Sequence, residues 1–142
     1  MIIGMIGLGR MGSNMTYRLL QGGHDCVVFD RSAQSVSSAT ALGARGAASI
    51  EALVQALPAP RVVWVMLPAG PATEDTVTVL GRVLDADDIV IDGGNTFYKD
   101  DVRRAAQLRT RGIHYLDVGT SGGVWGLERG YCLMVGGDAA VF

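Results

Sequence analysis

The chain has 142 residues, of which 49% are hydrophobic and 18% charged, with a formal net charge of −2. That length holds one domain with a sizeable core, and that balance excludes a disordered chain. The slight negative charge leaves no basic footprint for nucleic acid or an anionic membrane, and no apolar run is long enough to span a bilayer.

Ile2, Ile3, Met5 and Ile6 form a short apolar run that reads as a buried parallel strand. Gly7, Gly9 and Gly12 follow with G-x-G-x-x-G spacing, and a helix opening near Arg10 turns Met11, Met15 and Leu19 to one side until Gly22-Gly23 ends it. Asp25 to Asp30 is a second strand around Cys26-Val-Val-Phe29, and Ser32 can cap a helix to about Leu42. Gly43 to Ala48 holds room for a short third strand. Ser49 caps the next helix, with Ile50, Leu53, Val54 and Leu57 as its apolar side, until Pro58 and Pro60 stop it. Arg61 to Leu67 is the strongest strand; after Pro68-Ala69-Gly70, Pro71 opens a helix carrying Val77, Leu80 and Leu84. Asp88 to Asp92 is a strand closed by Gly93-Gly94-Asn95, and Thr96 can cap a helix through Arg111, with Asp100 and Arg104 as an ion pair. Ile113 to Val118 and Tyr131 to Val135 are the last strands, separated by a glycine-rich loop from Gly119 to Gly130.

Strands alternating with helices imply right-handed crossovers and an α/β fold of Rossmann type, with a doubly wound, mainly parallel sheet. In such a sheet the strands' carboxyl ends gather along one edge, where ligands bind. Gly7-Leu-Gly9, Asp30-Arg31, Pro68-Ala69-Gly70, Asp92-Gly-Gly-Asn95 and Thr120-Ser-Gly-Gly123 all fall there. Gly7 would make the tight turn, Gly9 would admit a pyrophosphate to the backbone, and Gly12 would let helix and strand close up. Asp30 stands where a ribose-binding acid is expected. Its charge would repel a 2′-phosphate by about 1 to 4 kcal/mol at contact, favouring NAD, whereas Arg31 leaves NADP possible. Asn95 offers a donor and acceptors to a substrate hydroxyl or a nicotinamide amide. Ser121, Gly122 and Gly123 offer a hydroxyl and backbone N–H groups to a carboxylate.

Cys26 and Cys132 read as small buried strand residues of a reducing cytoplasm rather than a disulfide. No basic segment precedes a longer apolar stretch at the start, so no cleaved leader is expected. His24 sits in a turn and His114 begins a strand, and neither is expected to be catalytic. Lys99 lies on a solvated face, where Asp100 and Asp101 would keep it protonated. Asp92 and Asp117 more readily tie down loops than transfer protons, and no metal site is expected.

Three segments together resemble the 6-phosphogluconate dehydrogenase family, in particular its shorter, NAD-linked bacterial branch. They are Gly7-Leu-Gly-Arg-Met-Gly-Ser-Asn-Met15, Asp92-Gly-Gly-Asn-Thr-Phe-Tyr-Lys-Asp100 and Gly119-Thr-Ser-Gly-Gly-Val-Trp-Gly126. The resemblance implies oxidation of the C3 hydroxyl of 6-phosphogluconate by hydride transfer, then loss of CO₂ to give ribulose 5-phosphate. It implies cofactor contacts at Gly7, Leu8, Gly9, Arg10, Met11, Gly12, Asp30, Arg31, Leu67, Pro68, Ala69 and Asn95. Substrate contacts are implied at Asn95, Ser121, Gly122 and Gly123. Many NADP-linked members carry Asn-Arg-Thr in place of Asp30-Arg31-Ser32 and a lysine in place of Pro68, which again favours NAD. They also have acidic residues where this chain has Val124-Trp125. The family's catalytic lysine and the acid that protonates the enol would lie beyond Phe142. So would the helical domain that completes the phosphate site and a homo-oligomer. Residues 1–142 are then the cofactor domain alone. Two alternatives stay open: another β-hydroxyacid dehydrogenase of the 3-hydroxyisobutyrate or tartronate semialdehyde type, and a non-catalytic NAD-binding module.

Overall fold

The computed structural model describes residues 1–142 apart from the side chain of Val124. Its strands are β1 (Ile2–Ile6), β2 (Asp25–Phe29), β3 (Arg45–Gly46), β4 (Val62–Val65), β5 (Ile89–Asp92), β6 (His114–Ser121) and β7 (Cys132–Gly137). Its helices are α1 (Arg10–Gln21), α2 (Ala33–Ala41), α3 (Ile50–Gln55), α4 (Pro71–Val83), α5 (Tyr98–Arg109) and α6 (Gly126–Arg129). The strands form one sheet in the order β3-β2-β1-β4-β5-β6-β7, parallel throughout except that β7 runs antiparallel to β6. This is the doubly wound α/β sheet that the alternating pattern predicts.

Alternation along the strands divides the core between the two faces of the sheet. On one face Ile6, Val27, Val63, Val65 and Val90 meet Leu53 and Val54 of α3, Val77 and Leu80 of α4, and Leu108 of α5. On the other, Ile3, Met5, Cys26, Val28, Trp64 and Leu116 meet Met15 of α1 and Ala39 of α2. Ser32 and Ser49 cap α2 and α3, accepting from Ser35 N and Ala52 N at 3.2 and 3.1 Å. Pro71 opens α4, where its missing N–H removes no helical bond.

Four local expectations are corrected. Thr96 does not cap α5, which begins after Phe97 without a side-chain cap; its hydroxyl donates instead to Asp92 Oδ2 at 2.7 Å. Asp100 does not pair with Arg104. It faces solvent and meets Arg103 at 3.4 Å, while Arg104, only 2% exposed, points inward to Glu74 at 2.9 Å. The strand beginning near Ile113 continues past Val118 to Ser121, because β7 returns alongside it and pairs Ser121 with Cys132. Cys132 is exposed rather than buried, since β7 is an edge strand facing solvent; Cys26 is buried as expected, and both thiols are free. Among the described residues no helix is long and apolar enough to cross a membrane.

Candidate functional site

From β1 the sheet extends to β2 on one side and from β4 to β5 on the other, so a crevice opens at the carboxyl ends of β1 and β4. The glycine loop fills its floor. Gly7 has φ +97°, and a Cβ there would collide with the Met66 carbonyl. A Cβ on Gly12 would collide with the Gly7 carbonyl, so this glycine sets how closely α1 approaches the turn. Gly9 differs from both: its φ is −63° and an added Cβ would meet nothing within 4 Å. It is the N-cap of α1, and no side chain caps that helix. The first amides of α1 are therefore left to an anionic group, and the helix dipole favours one there. Open space over Gly9 with uncapped amides beside it fits a pyrophosphate.

Asp30, at the end of β2, is tied at both oxygens. Oδ2 accepts from Leu8 N and Oδ1 from Ser32 N, each at 2.7 Å. These bonds fix the carboxylate against the glycine loop and leave lone pairs for further donors. Leu8 itself supports the loop from behind, because its side chain is 4% exposed in the core and its N–H is taken by Asp30.

Two adjoining cavities flank the loop. One, of about 440 Å³, is lined by Gly7, Gly9, Asp30, Arg31, Leu67 and Pro68 together with the start of α4. The other, of about 420 Å³, is lined by Gly9 to Gly12, Met66 to Ala69, Gly93 to Asn95, and Thr120. The shared residues Gly9, Met66, Leu67 and Pro68 make the pair one elongated groove suited to a two-part ligand. Ser121, Gly122 and Gly123 lie just beyond Thr120, exposed, and line neither cavity. Gly122 and Gly123 take φ of +138° and +48° to turn the chain out of β6. A larger apolar groove of about 520 Å³ between α1 and β7 lies away from these loops.

Beneath the Gly93-Gly94-Asn95 turn sits a buried polar network that the sequence does not reveal. Asp92, fully buried, accepts from Gly94 N at 2.9 Å, Thr96 Oγ1 at 2.7 Å and the Tyr115 hydroxyl at 3.1 Å, with Arg104 at 3.5 Å. It ties down the loop, as its place at a strand end implies. The Tyr115 hydroxyl also meets Asp101 Oδ1 at 2.7 Å. Tyr115 has one proton for two carboxylates, which compete for it. Burial pushes the Asp101 carboxyl up to about 6, opposed by the Tyr115 bond and reinforced by the charges of Asp117 and Asp92. Burial and the two acids also drive the Tyr115 hydroxyl far above its ordinary value. Glu74 is held down to about 2, chiefly by Arg103, at 2.7 Å, and also by Arg104.

The remaining acid–base candidates, Lys99 and Asp117, lie outside both cavities. Lys99 is exposed, 5.9 Å from the centre of the Phe97 ring. Of its two expected acidic neighbours only Asp100 is at the surface; Asp101 faces Tyr115. Asp117, raised by burial and by Asp92, lines neither cavity. Thr120, read from the sequence only as the first residue of the Thr120-Ser-Gly-Gly123 segment, lines the second cavity, and its Oγ1 is buried without a partner. Its type was visible; its face of the strand was not.

The family model described as the NAD binding domain of 6-phosphogluconate dehydrogenase matches residues 2–142. The NAD(+)-dependent, decarboxylating 6-phosphogluconate dehydrogenase of Haloferax volcanii is 47% identical over 137 residues, covering 96% of this chain and 45% of that protein. Plasmodium falciparum 6-phosphogluconate dehydrogenase, solved with its cofactor NADP+ and with 6-phosphogluconate, superposes with a TM-score of 0.89 at 30% identity, covering 99% of this chain and 32% of that one. Mycobacterium tuberculosis 3-hydroxyisobutyrate dehydrogenase superposes with a TM-score of 0.88, also at 30% identity, covering 99% of this chain and 47% of that one. The chain thus spans less than half the length of these relatives.

Proposed function

The chain belongs to the 6-phosphogluconate dehydrogenase family as an NAD-binding domain of that family, and on this premise we propose that it is the cofactor half of an enzyme that oxidatively decarboxylates 6-phosphogluconate to ribulose 5-phosphate, with NAD preferred to NADP. The observation that carries the reading is the single groove joining the Gly7–Gly12 loop and Asp30 to Asn95 and Thr120. Bound NAD would supply the hydride acceptor for the C3 alcohol. The chain's own residues have the tasks of binding and orientation. The uncapped amides at the start of α1 take the pyrophosphate, and Asp30 accepts the ribose hydroxyls with the lone pairs left by Leu8 and Ser32. Leu67, Pro68 and Ala69 form the opposite wall. Asn95, on the loop that Asp92 holds, addresses substrate and nicotinamide together, and Ser121, Gly122 and Gly123 address the substrate carboxylate.

Proton transfer needs a base for the hydroxyl and an acid for the enol carbon. Asp30, Asp92 and Asp101 are each committed as described, and Lys99 and Asp117 line neither cavity, so we assign both roles to a helical domain outside residues 1–142, which would also build the homo-oligomer and complete the phosphate site. The enzyme would be cytoplasmic, with neither nucleic acid nor membrane as a partner. Membership of the sister 3-hydroxyisobutyrate group is disfavoured by the Asp92-Gly-Gly-Asn95 segment.

The test is a titration of both cofactors against the chain and its Asp30→Ala variant. NAD should bind more tightly than NADP, and the substitution should erase most of that difference, because the charge that repels a 2′-phosphate is gone. A chain that prefers NADP, with the preference unchanged in Asp30→Ala, would refute the cofactor assignment.

A further inference from the structure

We infer that Thr120 is a specificity-determining contact whose hydroxyl hydrogen-bonds the carboxamide of a nicotinamide cofactor bound between the glycine loop and the Gly93–Asn95 turn. The inference deepens the function proposed above and rests on it.

The argument begins with the strand. Along β6 the side chains of Leu116, Val118 and Thr120 share one face. Leu116 and Val118 are buried in the core, and Thr120 is where that row emerges at the cavity of about 420 Å³. The row therefore changes from apolar to hydroxyl at the cavity wall. Val is nearly isosteric with Thr and would continue the row without a polar group to satisfy. The hydroxyl instead stands buried with no hydrogen-bond partner. A buried hydroxyl without a partner is destabilising, and a strand offers it no carbonyl one turn back, as a helix would. A change of χ1 to another staggered rotamer re-aims Oγ1, and a ligand in the cavity would then give the hydroxyl its partner.

The rest of the lining defines that ligand. Met11, Met66, Leu67 and Pro68 are apolar and suit a flat ring. Asn95 and Thr120 bring the neutral polar side chains, and Arg10, at the start of α1, is the one charged residue of the described lining. Arg10 therefore belongs with the pyrophosphate end. A neutral hydroxyl suits an uncharged amide better than a phosphate or carboxylate, which would seek the cation. The nicotinamide carboxamide has both a donor and an acceptor and can engage Thr120 and Asn95 together.

The experiment is calorimetric titration of NAD and of ADP-ribose, which lacks the nicotinamide, into the wild-type chain, Thr120→Val and Thr120→Ser. Wild type should bind NAD more tightly than ADP-ribose. Thr120→Val should weaken NAD binding by about five- to tenfold, the worth of one neutral hydrogen bond, and leave ADP-ribose binding unchanged; Thr120→Ser should restore NAD binding. Equal weakening toward both ligands would show a structural role only and overturn the inference. It is overturned equally by unchanged NAD binding in Thr120→Val, or by a wild type that binds NAD no better than ADP-ribose. A wild type that binds neither ligand would instead refute the dinucleotide function itself.

Discussion

Replacing Asp101 with Asn tests the proton that the buried network is short of. Asp101 is 4% exposed, and its hydroxyl partner Tyr115 already has a second carboxylate, Asp92, at 3.1 Å. An ionised Asp101 competes with Asp92 for the single Tyr115 proton, whereas a protonated Asp101 can donate to the hydroxyl and leave that proton to Asp92. Folding raises the Asp101 carboxyl from 3.8 to about 6. The folded chain thus binds the extra proton between those values, and stability must fall as pH rises through the window. At 1.36 kcal/mol per unit the full loss is about 3 kcal/mol, present above pH 6 and absent below pH 4. The Asn amide donates to Tyr115 at every pH and carries no charge, so Asp101→Asn should be level with wild type near pH 4 and more stable by about 2–3 kcal/mol at pH 7.5. The assay is urea unfolding of both proteins at half-unit steps from pH 4 to 7.5. Taking the difference removes the titrations they share, including that of Asp117. The other groups facing Asp101 are Tyr115, Asp92 and Arg104, and all remain in the variant. A difference that is flat with pH, or that favours wild type at neutral pH, would refute the proton count.

Gly12→Ala and Gly9→Ala separate folding from binding. The first drives a methyl into the Gly7 carbonyl and should destabilise by about 1–3 kcal/mol or more, whereas the second meets open space and should alter stability by less than about 1 kcal/mol while weakening NAD; thermal melts and cofactor titration read the two effects. Arg104→Met removes the cation between Glu74, Asp92 and Asp101 and should cost about 3–5 kcal/mol of stability by chemical denaturation, because Asp92 and Asp101 remain buried. In an intact enzyme carrying this domain, Asn95→Ala should lower turnover of 6-phosphogluconate more than it lowers NAD affinity, measured by NADH formation and by binding; unaltered turnover would remove Asn95 from the site.

The glycine loop was legible because each of its requirements is local. A tight turn at Gly7, an open approach at Gly9 and a close contact at Gly12 follow from backbone sterics over six residues, and the structure reproduces all three. The parallel sheet was legible for a related reason: alternating apolar runs and helical stripes allow few handed connections. Asp92 was readable as a loop anchor from its place at a strand end. The partners of Arg104 were not, because spacing along a helix names the neighbours at i ± 3 and i ± 4 but not which side of the helix is covered. Once α5 packs on the sheet, burial aims Arg104 at Glu74 and Asp92 and leaves Asp100 to Arg103. Thr96 likewise had the chemistry of a cap, and the carboxylate of Asp92, four residues back across a turn, took its hydroxyl first. Thr120 depended on two tertiary events, the pairing of β7 with β6 that carries the strand to Ser121 and the consequent choice of face. The sequence by itself thus determined the fold and the glycine loop, whose physics is local and steric. Only the tertiary structure decided how the buried charges pair and which threonine lines the cavity, since those depend on elements far apart in the chain being desolvated together.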